Sequence, residues 1–137
     1  DSAMEYLRIS DGLNPYNPYV YSNMGFAQFL LGKFGKAEEL WLKACELDSS
    51  FVDPLIGLFN LYTKQGHDEK RMRMLLKLAV NEDTPPAFIV GRVGELIERG
   101  YTREARRAFS LLVKRAPQSP EVQSLLSEYP ELNQFTK

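Results

Sequence analysis

Residues 21–48, YSNMGFAQFLLGKFGKAEELWLKACELD, read as two amphipathic helices joined by a tight turn. Tyr21, Met24, Gly25 and Gln28 recur at helical spacing before Gly32. Ala37, Leu40, Trp41 and Ala44 do the same after it, so each half carries an apolar stripe. Two short helices cannot cover both stripes by themselves. A hairpin of this kind requires further copies stacked against it.

The chain supplies them at a fixed interval. Gly32, Gly66 and Gly100 stand 34 residues apart, each between two apolar-periodic segments. Trp41, Leu75 and Phe109 follow the same step, as do Ala44, Leu78 and Leu112, while Ala37 maps through Arg71 to Ala105. This pattern resembles the tetratricopeptide repeat family, in which each repeat is a helical hairpin with small residues at the helix contact and a glycine in the turn. The resemblance extends over nearly the whole chain. It implies an all-α fold, an α-solenoid of antiparallel hairpins wound into a right-handed superhelix of about eight helices.

The repeats differ in quality. Residues 18–51 form the best copy, with Tyr21, Met24, Gly25, Gly32, Phe34, Ala37, Trp41 and Ala44 in place and Ser49 where the family usually ends on proline. Residues 52–85 keep Leu55, Leu58, Tyr62, Gly66, Leu75 and Leu78. They put Phe59 and Arg71 where close helix contact takes small side chains, which predicts looser packing or a slight tilt. Residues 86–119 keep Ile89, Leu96, Gly100, Ala105, Phe109, Leu112 and Pro117. Their first helix is ambiguous by one residue, since Val93-Gly94 also fits the apolar-then-small pair, and Pro85-Pro86 is expected to start it.

The 34-residue step taken backwards from Ala37, Trp41, Ala44 and Ser49 lands on Ala3, Leu7, Ser10 and Pro15, so residues 1–17 read as the second helix of a truncated repeat. The start at Asp1, with no methionine and no leader, agrees with a segment of a longer chain and gives no targeting signal. Residues 120–137 read as a capping helix and tail. Val122, Leu125, Leu126 and Tyr129 cover the last apolar face before Pro130 stops the helix. Residues 1–137 are thus expected to form one domain, with loops at 14–18, 48–53, 83–86 and 116–120.

The resemblance implies a concave groove lined by the first helix of each pair. By position the first repeat contributes Tyr19, Ser22, Phe26, Phe29 and Leu30. The second contributes Asp53, Ile56, Asn60, Thr63 and Lys64, and the third Ala87, Val90, Gly94, Ile97 and Glu98. Tyr19, Phe26, Phe29 and Ile56 offer flat, low-entropy area of the kind that anchors an inserted peptide or helix. The competing expectation is that Phe26 and Phe29 pack on a missing upstream repeat. Some family members grip a partner's C-terminal carboxylate with lysine, arginine and asparagine residues. Here Ser22, Phe26, Gly57, Ala87 and Gly91 occupy those places, and only Asn23 resembles a member of the set, which argues against that chemistry.

Composition narrows the partner class. Hydrophobic residues make up 44% and charged residues 26% of 137, an ordinary globular balance with no apolar run of membrane-spanning length. A formal net charge of -1 supplies no general field toward nucleic acid or anionic membranes. Residues 86–119 nonetheless hold seven basic groups against Glu95, Glu98 and Glu104, an excess of +4. Arg103, Arg106 and Arg107 share one helix face, which suits an acidic partner or phosphate, or else is a solvated outer face with Glu104 pairing along the helix.

Material for catalysis is scant. Cys45 is the single cysteine and His67 the single histidine, and the repeat geometry does not bring them within hydrogen-bond reach. Cys45 reads as a packed thiol, and His67 as an exposed residue after the turn glycine. Neither a multi-thiolate metal site nor a disulfide is available. The segment Gly91-Arg92-Val93-Gly94 reads as part of a helix and lacks the strand that precedes a phosphate loop. No cofactor is expected.

The function expected is therefore that of a protein interaction scaffold, not an enzyme, binding a peptide or helical segment of a partner protein in its groove. The alternative is a structural or regulatory module of a larger enzyme or membrane-associated assembly. Such a module would mediate contact between domains, or self-association through the exposed N-terminal end.

Overall fold

The structure, a computed structural model, describes residues 16–135. The helix expected within residues 1–17 therefore lies almost wholly outside the described residues. Those residues are all-helical and contain no strand. They comprise α1 (Pro18–Leu30), α2 (Phe34–Leu47), α3 (Val52–Gln65), α4 (Asp68–Ala79), α5 (Pro86–Val90), α6 (Val93–Glu98), α7 (Thr102–Arg115), α8 (Pro120–Glu128) and a terminal 3-10 helix (Pro130–Phe135). The chain divides into two compact units, Asp1–Leu75 and Leu76–Lys137, with the division inside α4.

Local sequence explains where the helices begin. Asn17 caps α1, its side chain accepting the Tyr19 N–H at 2.9 Å, and Pro18 supplies a preset φ at the first helical position. Ser119 and Pro120 repeat that arrangement at α8, where Ser119 Oγ accepts the Val122 N–H at 3.2 Å. Asp68 and Glu69 place negative charge in the first turn of α4.

The hairpin turns share one hydrogen-bond pattern. Gly32, Gly66 and Gly100 have φ of 76°, 73° and 86°, and no other described residue has a positive φ. The residue after each glycine donates to the carbonyl five positions back: Lys33 to Gln28 at 2.9 Å, His67 to Tyr62 at 2.9 Å and Tyr101 to Leu96 at 2.8 Å. That is the Schellman closure, which satisfies helix-end carbonyls and needs a left-handed residue at the glycine site. The next helix then opens identically three times, through Ala37 N–H to Lys33, Arg71 to His67 and Ala105 to Tyr101.

In the first unit α1 and α2 pack as a hairpin across their three-residue connection, and α3 packs on both. Trp41, at 1% exposure, is the largest fully buried side chain. Its indole N–H donates to the Ser22 carbonyl at 3.1 Å, and Gly25 and Gly57 leave room for the ring on either side. Phe59 and Arg71, the large residues at the helix contact of residues 52–85, stack on each other. Phe59 is buried and the Arg71 guanidinium lies 4.8 Å from its ring centre.

In the second unit α5 and α6 pack on α7, and the terminal 3-10 helix contacts α7 and α8. Ile89, Val93, Leu96, Ala105, Ala108, Phe109 and Leu112 form its core, joined by Val122, Leu125 and Leu132. The single first helix expected for residues 86 onward is in fact two. Gly91 and Arg92 have ψ of -1° and -13°, and Arg92 donates to Ile89, three residues back, at 2.8 Å. Glycines at 91 and 94 weaken helix propensity, and nothing packs on Gly91 to compensate. The Gly91–Gly94 segment thus straddles a break between helices. Val93, 34 residues after Phe59, is buried, and Gly94 lies against Tyr129.

Candidate functional site

The groove positions inferred from the sequence distribute unevenly. On α1, Tyr19 is 62% exposed, Phe26 38% and Leu30 83%, and their spacing of seven and four residues puts them on one face. Tyr16 and Leu31, beyond the two ends of the helix, are also exposed. Neither was among the positions the repeat register assigned, since both lie outside the helix and only their exposure reveals them. Ser22 is buried at 2%, so its hydroxyl is not part of the exposed face.

Aromatic contacts hold this stripe in place. Tyr19 packs on Phe51, at the start of α3, with ring centres 4.6 Å apart. Phe26 meets Trp41 edge to face at 4.9 Å, leaving part of its ring outward. Phe29 is half-buried and touches both Trp41, at 5.7 Å, and Phe34, at 5.4 Å. Both phenylalanines are thus packed on their own hairpin, and Phe26 keeps an accessible side as well.

On α3, Ile56 is half-buried, and Asn60, Thr63 and Lys64 are exposed. Thr63 turns its hydroxyl back to the Phe59 carbonyl at 2.7 Å. Lys64 extends over the Phe34 ring at 5.9 Å. This face is polar beside the apolar stripe of α1.

Val90 on α5 and Ile97 on α6 are half-buried within the second unit. Near them Tyr129 donates its hydroxyl to Glu98 at 2.9 Å, and that bond pushes the phenol up to about 12. A Cβ at Gly94 would sit 2.8 Å from the Tyr129 oxygen, so the glycine admits this contact.

Cys45 is half-buried on α2 and His67 is exposed at the turn before α4. Among the described residues no three of histidine, cysteine, aspartate and glutamate converge as a metal site. None of the described helices is long and apolar enough to cross a membrane. Neither the protein-family models nor the curated proteins contain a match to this sequence.

Proposed function

We propose that this chain is a tetratricopeptide-type module, a solenoid of helical hairpins that binds a peptide or short helix of a partner protein. The observation that carries the reading is the stripe of Tyr19, Phe26 and Leu30, exposed on one helix while supported beneath by Trp41 and Phe51. Rigid aromatic groups anchored from below give contact area at low entropic cost. The polar α3 residues Asn60 and Lys64 would then orient the ligand from beside the stripe. The threefold Schellman closure at 34-residue steps supports the repeat assignment, because it recurs in backbone geometry as well as in residue type.

Selection of peptides from a displayed library against the purified chain tests this reading. The expected ligands carry spaced apolar or aromatic anchors. Their affinity should fall at least about tenfold in the double variant Tyr19→Ser, Leu30→Ser, with helicity kept and melting lowered only by the lost Tyr19–Phe51 ring contact. Ligands indifferent to that variant would overturn it. The same stripe also suits contact with a second copy of the chain. Light scattering of the two proteins separates the readings: a dimer abolished by the variant, with no peptide selected, would favour self-association.

A further inference from the structure

The second unit carries a basic hollow that the peptide-binding stripe does not use. It measures about 710 Å³ and is lined by Val80, Thr102, Arg103, Arg106, Arg107 and Ser110. Five of these six lie on α7, where positions 103, 106, 107 and 110 follow helical spacing. Thr102, Arg103, Arg106 and Arg107 are exposed. The pairing with Glu104 suggested by the sequence is not formed: among the described residues no carboxylate lies within ion-pair distance of Arg103, Arg106 or Arg107. The Arg106 guanidinium stands 5.0 Å from the centre of the Phe135 ring, which restrains its long side chain.

Three like charges on adjacent turns repel one another, so their convergence favours a multiply charged anion. A carboxylate brings one negative charge, whereas a phosphomonoester brings about -1.5 to -2 at neutral pH and three acceptor oxygens. Guanidinium groups match phosphate oxygens in pairs of parallel hydrogen bonds. The hydroxyls of Thr102 and Ser110 line the same hollow and add donors of the right type. We propose that this hollow binds a phosphomonoester, held by Arg103, Arg106 and Arg107. The assignment is independent of the α1 stripe.

Calorimetric titration of the whole chain tests it with three probes: a short peptide carrying one phosphoserine, the same peptide with glutamate in its place, and inorganic phosphate. The phosphopeptide should bind at least about tenfold more tightly than the glutamate peptide and lose affinity as salt is raised. The double variant Arg103→Gln, Arg107→Gln should weaken it by about tenfold or more. Circular dichroism and melting should stay unchanged, because both side chains are exposed. Tighter binding of the peptide than of inorganic phosphate supports the site and makes its ligand a phosphorylated segment. Equal binding supports it with a free phosphorylated small molecule as the ligand. Glutamate and phosphoserine peptides of equal affinity would overturn the proposal. So would binding unaffected by the arginine variant, or none by about 5 mM. The variant Tyr19→Ser, Leu30→Ser should leave phosphate binding intact, so failure of the peptide-groove reading is seen separately.

Discussion

The Trp41 indole fills the space that a side chain at Gly57 would need: a Cβ built there falls 2.6 Å from Trp41 Cε2. The same ring lies 2.5 Å from the position of a Cβ at Gly25. An alanine at an exposed helical site stabilises by up to about 1 kcal/mol relative to glycine. At these two sites overpacking wins instead, because the obstacle is a buried ring with no room to retreat. Gly25→Ala and Gly57→Ala should each destabilise the chain by about 1–3 kcal/mol in urea denaturation. Gly35→Ala, on α2 with nothing near its Cβ, should be neutral or stabilising. In a Trp41→Leu background the Gly57→Ala penalty should shrink; equal penalties in both backgrounds would refute the contact as its cause.

The turn glycines are constrained by backbone rather than by space. Gly66 has φ of 73° with nothing near its Cβ. Gly66→Ala should cost about 1–2 kcal/mol, and Gly66→Asn less, because asparagine tolerates the left-handed region better. Thermal melts of the two variants check the order. An alanine variant as stable as the asparagine one would show that the turn changes conformation to accommodate it.

Tyr62 couples the first unit's stability to alkaline pH. Its hydroxyl donates to Glu38 Oε2 at 2.6 Å, and burial, then that carboxylate, hold the phenol proton well above the ordinary 10.0. Below pH 10.0 both folded and unfolded chains keep the proton and the contribution is complete. Above it the unfolded chain ionises while the folded one does not, so stability declines as pH rises toward the folded value. Urea midpoints measured from about pH 8 to 11 should fall more steeply for the native chain than for Tyr62→Phe. Parallel curves would show that Tyr62 ionises equally in both states.

Thr84 closes the loop after α4. Its hydroxyl donates to the Leu78 carbonyl at 2.6 Å, while its own carbonyl accepts from Arg115 at 2.8 Å. At 5% exposure, replacing that hydroxyl by a methyl leaves the Leu78 acceptor without it. The Leu78 carbonyl keeps the Asn81 N–H at 3.2 Å, so Thr84→Val should cost about 0.5–1.5 kcal/mol, and Thr84→Ser should recover most of it. Chemical denaturation of the three proteins settles the sign. A valine variant as stable as the native chain would make the bond energetically neutral.

The sequence alone determined the local features, because these depend on neighbours within a few residues. Gly32, Gly66 and Gly100 carried the 34-residue period, and each adopts the left-handed turn that its place between apolar segments required. The buried positions Trp41, Leu75 and Phe109 were legible in the same way, whereas the caps at Asn17 and Ser119 came from the folded chain. Tertiary structure decided what the period could not express. Gly57 lies 32 residues after Gly25, off the repeat step, yet both glycines face the same indole, since the ring's reach and not the register selects them. The helix break at Gly91 depends on what packs there, as does the burial of Leu132 within a segment that sequence patterning left as tail. The candidate sites divide similarly. The repeat resemblance implied Tyr19, Phe26 and Leu30 as groove positions, and helical spacing put Arg103, Arg106 and Arg107 on one face. Only the folded chain showed Ser22 buried and the three arginines lining a hollow with no carboxylate at ion-pair distance among the described residues, because burial and ion pairing are set by residues distant in sequence.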